Sequence, residues 1–280
     1  MPRQQLQFLV VMAHPHDFMH VAGTCGVHTM LGDKVTWVSM TAGVMTHNER
    51  LADELSKPLG EQNPGIVNQE PNQYAKEKAV ELRQVGTLFG VRDVRILNYS
   101  DKPFVVERQP ECVDEIRSLI LELRPHVVLT QSPFLRGPHG LNAGTPNDHT
   151  ETGFATMEGK LLAQLPRYGE GVAPHVTPAA FFPGVYFDKQ HWDFSVDVSS
   201  FGETLIEAES LYKTQAHTQE YARRRITATV GNTGIYSRVL YAEAFVRERA
   251  ETVSEIGLSD YSLRKATESR ESHIHVSGIG

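Results

Sequence analysis

The sequence predicts an α/β fold with a mostly parallel sheet and helices on both faces, and three observations predict it. Short apolar runs rich in β-branched residues alternate with segments of helical period through the first half of the chain. The runs are apolar at nearly every position, as strands covered on both faces require. Polar residues gather where the runs end, which is where a parallel sheet of this kind holds its ligands.

Taken in order, "LQFLVVMA" is the first strand. "VAGTCGVHTMLG" follows as a helix built on small residues and ending near Gly32. Val35 to Thr41 is the second strand, closed by Gly43. A polar stretch, residues 46–73, carries Pro58, Pro64 and Pro71 and reads as a long loop of the kind that covers a site. "YAKEKAVELRQVGTLFG" has helical spacing and stops at Gly90, and "VRILNYSD" is a third strand. "CVDEIRSLILELRP" is an amphipathic helix halted by Pro125, before a fourth strand in "HVVLTQSP". This β-α-β-α rhythm is Rossmann-like, with crossover helices on either face. The second half is less regular. "EGKLLAQL" reads as helix, "AAFFPGVYFD" and "FSVDVS" as strands, and residues 201–226 as one long helix. Residues 1–250 are expected to form one domain, with 251–280 a polar, loosely attached extension.

The totals narrow the class. The chain has 280 residues, enough for a large core, with 40% hydrophobic and 22% charged residues. A net charge of −7 argues against a nucleic-acid partner, because phosphate neutralisation needs clustered Lys and Arg. No apolar run approaches the roughly 20 residues of a membrane span. The N-terminus lacks a small-residue cleavage site, so no signal peptide is expected and the location is read as cytoplasmic. The two cysteines, Cys25 and Cys112, lie far apart and form no CxxC pair, which leaves out a disulfide framework and a zinc–cysteine site. Cys25 reads as a helix packing residue. No G-x-G-x-x-G follows the first strand, so a dinucleotide cradle is missing.

The polar residues at the strand ends are His14 to Asp17, Thr41 to Gly43, Tyr99 to Asp101, and Gln131 to His149. Parallel topology aims them at one crevice. A catalytic zinc takes three ligands from His, Asp and Glu and leaves a fourth position open. His14 and Asp17 on the first turn, joined by His149 from "PNDH" after the fourth strand, make a workable open set. H-x-x-D by itself also occurs by chance, and the cluster could equally be a polar turn.

"AHPHD" with "AGT" after it, and "PNDH" after "RPHVVLT", resemble the PIG-L/LmbE-like zinc-dependent de-N-acetylases. These carry A-H-P-D-D-E, then G-G-T, and later H-P-D-H. "TAG" after the second strand, the "ELRQVGTLFGVRDVRILNYSD" segment, "FSVDVS", "YKTQAHTQ" and "YAEAF" are similar to further segments of that family. The resemblance implies an LmbE-like fold and a zinc ion, or another divalent metal, held by His14, Asp17 and His149. It also implies that Asp148 orients a neighbouring imidazole. Asp101 and Tyr99 would lie at the rim, supporting the site or touching substrate hydroxyls. A small, carbohydrate-like substrate is implied, and a homo-oligomer is compatible. His217 in "QAHTQ" reads as well as a histidine on a helix surface.

The chain departs from the family motif at three positions. His16 stands where the family has the aspartate that takes a proton from the attacking water. Phe18 replaces the following glutamate, and Pro146 replaces the first histidine of H-P-D-H, which assists the oxyanion or the leaving amine. A neutral imidazole titrates near about pH 6.5, so His16 can accept that proton. Alternatively it is a fourth ligand that closes the open position. The base is preferred, because a retained crevice favours a reactive metal. His139, Arg136 and His20 can stand in for the donor lost at Pro146; the bland readings are two loop residues and a buried helix histidine. His139 is preferred, since its loop must pass over the metal.

The leading expectation is a zinc-dependent hydrolase cleaving the amide of an N-acylated amino sugar or similar small conjugate. A related metal enzyme of altered chemistry, an ester hydrolase, deglycosidase or lyase, is the alternative. A non-catalytic carbohydrate-binding descendant that keeps zinc for stability is the third.

Overall fold

Strand β1, Gln7–Met12, is the axis of the molecule in the computed structural model, which describes residues 3–101, 110–133, 147–166 and 171–269. Strands β2 (Lys34–Thr41) and β4 (Val127–Thr130) flank β1 and run parallel to it. Strand β3 (Asp93–Tyr99) pairs with β2, and β5 (Ala179–Pro183) with β4, both again parallel. Beyond β5 the direction reverses. Strand β7 (Ala242–Arg247) is antiparallel to β5, and β6 (Phe194–Asp197) is antiparallel to β7. The order across the sheet is β3-β2-β1-β4-β5-β7-β6.

The helices are α1 (Ala22–Met30), α2 (Glu49–Leu55), α3 (Pro64–Val67), α4 (Pro71–Leu88), α5 (Pro110–Leu123), α6 (Asp148–Ala163), α7 (Gly202–Ser210), α8 (Gln219–Ile226), α9 (Asn232–Ser237) and α10 (Asp260–Thr267). The continuous apolar run of β1 is explained by the two layers it separates. Phe8, Val10 and Met12 pack with Cys25 of α1, Leu82 and Val85 of α4, and Leu205 of α7. Leu9 and Val11 point the other way, onto Ile116 and Ile120 of α5 and Ala163 of α6. Successive strand side chains point to opposite faces, so a strand with helices on both sides must be apolar at every position. Both cysteines are free and buried, and the Trp37 indole N–H donates to Cys25 Sγ at 3.3 Å.

Three segments differ from the sequence expectation. Residues 46–73 are not one open loop: α2, a 3-10 turn at Leu59–Glu61, and α3 lie within them, and α4 begins at Pro71. Asn48 and Asn63 cap α2 and α3, each accepting a backbone N–H, so polarity there marks helix starts. The long helix over 201–226 is two helices, α7 and α8, separated at Ala216, whose φ of 59° is left-handed. Thr214 and Gln215 in the break turn inward, onto Glu81 and Lys78 of α4. The strand expected across "AAFFPGVYFD" ends at Pro183, where a 3-10 turn, Gly184–Tyr186, takes over. In the C-terminal extension, α10 is tied to β6 by the Tyr261 hydroxyl, which donates to Asp197 Oδ2 at 2.6 Å. Among the described residues no helix is long and apolar enough to cross a membrane.

Candidate metal centre

The centre forms where β1 ends. Ala13 is still fixed to both neighbouring strands, its N–H to Gln131 Oε1 at 2.8 Å and its carbonyl to Thr41 N at 2.9 Å. The chain then turns into a 3-10 helix, Pro15–His20. This turn is closed on itself: Asp17 N donates to the His14 carbonyl at 3.1 Å, and His14 N donates to Asp17 Oδ2 at 2.8 Å. Pro15 suits the first position of such a turn, where its missing N–H costs nothing. Gln131, the first residue after β4, donates from Nε2 to Asp17 Oδ2 at 2.8 Å and to the Tyr186 hydroxyl at 2.9 Å. The third contributor arrives on α6. Asn147 caps that helix by accepting Thr150 N at 3.1 Å, and Thr150 Oγ1 accepts Asn147 N at 3.0 Å. Asp148 and His149 therefore sit in its first turn, at the ends of β1 and β4.

Three atoms converge. His14 Nδ1 lies 3.0 Å from His149 Nε2 and 3.2 Å from Asp17 Oδ2, and His149 Nε2 lies 3.4 Å from Asp17 Oδ2. Ligand atoms arranged tetrahedrally at about 2.0–2.1 Å from a zinc ion stand about 3.3–3.4 Å apart. The triangle fits that spacing. The other face of His14 completes the fit, because Nε2 is 2.6 Å from Asp148 Oδ2 and 3.0 Å from Thr46 Oγ1. With its N–H directed at Asp148, His14 would present the Nδ1 lone pair to an ion in the triangle once that ion displaces the second ring proton. That is the tautomer a metal ligand needs.

The electrostatics favour a cation at this point. Burial opposes charge on His14, but Asp17 and Asp148 outweigh it and raise its pKa to about 10. Burial would raise Asp17, yet His149 and His14 hold it well below the usual carboxylate range. Asp148 is likewise lowered: burial is overcome by its hydrogen bond to His14 and by the charges of His14 and His149. His149 is lowered by burial and by the charge of His14, with Asp17 opposing. The buried Asp17 and the half-buried Asp148 thus share a site with imidazoles, and a positive charge there, proton or divalent metal, is what they stabilise.

His47 joins this group. One of its ring nitrogens lies within 4.8 Å of the converging atoms of His14, Asp17 and His149, and its ring meets that of His14 edge to face at 4.4 Å. Sequence reading assigned it no role because it falls in the segment read as a loop. The signal was available: it stands four residues past Gly43, at the end of β2, the next strand in the sheet. Thr46 and Tyr186 were also missed as site residues, whereas Gln131 was placed at the crevice with no role given to it.

His16 belongs to a different cluster. Its Nε2 is 2.9 Å from Glu209 Oε1, and Glu209 also receives His217 Nδ1 and Arg225 Nε, each at 3.1 Å. Glu209 is fully buried on α7, so it must collect cationic or N–H partners, and His16 is one of them. This differs from the expectation that the His16 ring faces the metal. His217 is buried in the break between α7 and α8 rather than on a helix surface. Asp101 is buried and supports the rim: its Oδ2 accepts Met45 N, Thr46 N and Thr46 Oγ1 at 2.7, 2.8 and 2.9 Å. Tyr99 is directed at α5, where its hydroxyl donates to Glu115 Oε2 at 2.7 Å. The His20 ring packs near Tyr186 at 6.0 Å, and Tyr186 near His149 at 6.1 Å. His139, Arg136 and Pro146 lie outside the described residues.

The family model described as PIG-L, GlcNAc-PI de-N-acetylase, matches residues 9–159. The chain belongs to the PIG-L family. The matched span holds His14, Asp17, His47, Asp148 and His149, while Glu209 and His217 of this PIG-L member fall beyond it. A probable N-acetyl-alpha-D-glucosaminyl L-malate deacetylase 2 of Bacillus anthracis is 28% identical over 165 residues, 59% of this chain and 62% of the relative. The 1D-myo-inositol 2-acetamido-2-deoxy-alpha-D-glucopyranoside deacetylase of Rhodococcus erythropolis is 26% identical over 193 residues, 63% of this chain and 60% of the relative. The PIG-L chain thus spans about three fifths of the length of these curated relatives. Two solved structures share its fold. GalB, the 4-carboxy-2-hydroxymuconate hydratase of Pseudomonas putida KT2440, superposes with a TM-score of 0.71 at 18% identity, covering 90% of this chain and 100% of that one. The N,N'-diacetylchitobiose deacetylase of Pyrococcus horikoshii does so with a TM-score of 0.65 at 20% identity, covering 87% and 84%.

Proposed function

We propose that this PIG-L protein is a metal-dependent hydrolase that removes the acyl group from an N-acylated amino sugar or a similar small conjugate, with zinc as its metal. The observation that carries this reading is the triangle of His14 Nδ1, Asp17 Oδ2 and His149 Nε2, in a chain whose curated relatives are named deacetylases. His14, Asp17 and His149 would hold the ion. When bound, it would polarise the amide carbonyl and make water a better nucleophile near neutral pH. Asp148 keeps the His14 tautomer and Gln131 keeps the Asp17 carboxylate in place, so neither ligand has to reorganise during turnover. The water proton needs an acceptor, and His16, held by Glu209, would have to turn away from it to serve.

The test is hydrolysis of a panel of N-acetylated amino sugars before and after chelation. Amide turnover is expected, lost on chelation and restored by a divalent metal. Stoichiometric metal with no amide cleavage, even with the protein in large excess over substrate, would defeat the assignment. A second reading, addition or removal of water at an unsaturated acid, is supported by the fold shared with a hydratase. Unsaturated carboxylic acids beside the amides in the same panel separate the two.

A further inference from the structure

The proposed hydrolysis needs a group that accepts a proton from the attacking water and delivers one to the departing nitrogen. From the geometry we infer that His47, backed by Glu49, is this group. The inference rests on the hydrolase reading above and names a residue that neither the sequence motifs nor the comparisons single out.

Three features carry it. First, His47 faces the triangle: a ring nitrogen lies within 4.8 Å of the converging atoms of His14, Asp17 and His149, and its ring meets that of His14 edge to face at 4.4 Å. With three other side chains already converging to hold an ion, a fourth imidazole beside them is placed to reach what that ion would bind. Second, the imidazole has its own carboxylate. Nδ1 lies 3.3 Å from Glu49 Oε1, which orients the ring and leaves Nε2 for the proton that moves. Third, its backbone is fixed from several directions. His47 N donates to the Gly43 carbonyl at 3.1 Å, the buried Tyr74 hydroxyl donates to the His47 carbonyl, and Asp101 Oδ2 holds the two preceding residues. A positioned imidazole is worth more than a mobile one, because the geometry is set before substrate arrives.

The step balances. As the water oxygen bonds to the acyl carbon, one water proton passes to His47 Nε2. As the C–N bond breaks, its electron pair stays on nitrogen and the proton passes from His47 to that nitrogen. The acid and the amine leave, and the imidazole is neutral again.

The experiment compares wild type, His47→Ala, His47→Gln and Glu49→Gln, each loaded with zinc, in kcat for an N-acetylated sugar that the wild type cleaves. Zinc content and zinc affinity by chelator competition are measured in parallel. His47→Ala and His47→Gln are expected to lose about 10²–10⁴-fold in kcat with zinc affinity within about threefold of wild type. Free imidazole should restore part of the His47→Ala rate, and Glu49→Gln should fall between. Loss of zinc from both His47 variants would make His47 a ligand and overturn the assignment. Near-wild-type kcat in either would overturn it as well, with the hydrolase reading intact. A wild type with no amide turnover overturns the hydrolase reading, and this role with it.

Discussion

His14 is a buried imidazole set between two carboxylates, and that placement makes it a cation site before any metal arrives. Its pKa of about 10 means the metal-free protein carries a proton there at neutral pH. His149, lowered by burial, and Asp17, held down by His149 and His14, carry none. Metal and proton therefore compete at one residue. Affinity for zinc should rise with pH, roughly tenfold per unit, and level off near about pH 10. Calorimetric titrations in two buffers of different ionisation enthalpy should register about one proton released per ion at pH 7. No released proton would mean that His14 is already neutral and that the two carboxylates do not control it. The three converging residues themselves were legible, because His14 and Asp17 follow the first strand and His149 the fourth in a spacing that resembles the family's. The partner of His16 was not. Glu209 is 193 residues away in sequence, and nothing local marks a buried glutamate on an amphipathic helix as the counter-charge of a distant histidine.

At the scale of elements, the site depends on how closely α6 approaches the end of β4. Gly153 makes that approach possible: a Cβ there would lie 2.5 Å from the Gln131 carbonyl oxygen and 2.8 Å from Pro133 N. Backbone cannot yield as a flexible side chain would, so Gly153→Ala must push α6 outward. The expected cost is about 1–3 kcal/mol, read as a lower midpoint in urea. Zinc affinity should weaken with it, because Asp148 and His149 ride on the first turn of the same helix. Gly60→Ala, with open space around it, is the control and should change neither. Unchanged stability and affinity in Gly153→Ala would show that α6 does not set the ligand geometry. The central strands, α4 and α5 were readable from apolar period and from Gly and Pro stops, whereas of α6 only the C-terminal part, in "EGKLLAQL", was. The short helix α2 was hidden because it carries more polar than apolar residues, and α3 because it is a single turn that opens on Pro64 and Gly65. The break at Ala216 was hidden too, since the residues on either side keep helical spacing while the backbone departs from it.

Across the whole molecule, the ends of the parallel strands deliver most of the centre, and Asp148 and His149 join them on the first turn of α6. β1 supplies His14 and Asp17, β2 leads to Thr46 and His47, β3 leads to Asp101, and β4 supplies Gln131. The alternation of strands and helices was enough to place these ends together, because parallel strands joined by helices share a direction. The antiparallel edge, β7 and β6, carries no residue of the triangle. The α7–α8 unit, packed on the other side of the first turn, creates a second buried group of His16, Glu209 and His217 whose atoms also lie within 4.8 Å of one another. Two clusters separated by two residues on one turn therefore compete as metal positions. Arg225 Nε already occupies Glu209 Oε1 in the second, which argues for the first. Anomalous diffraction at the zinc edge from crystals of the loaded protein decides between them. One peak is expected, about 2.0–2.2 Å from His14 Nδ1, Asp17 Oδ2 and His149 Nε2. A peak on Glu209 between His16 and His217, or none in protein carrying one zinc per chain, would contradict it.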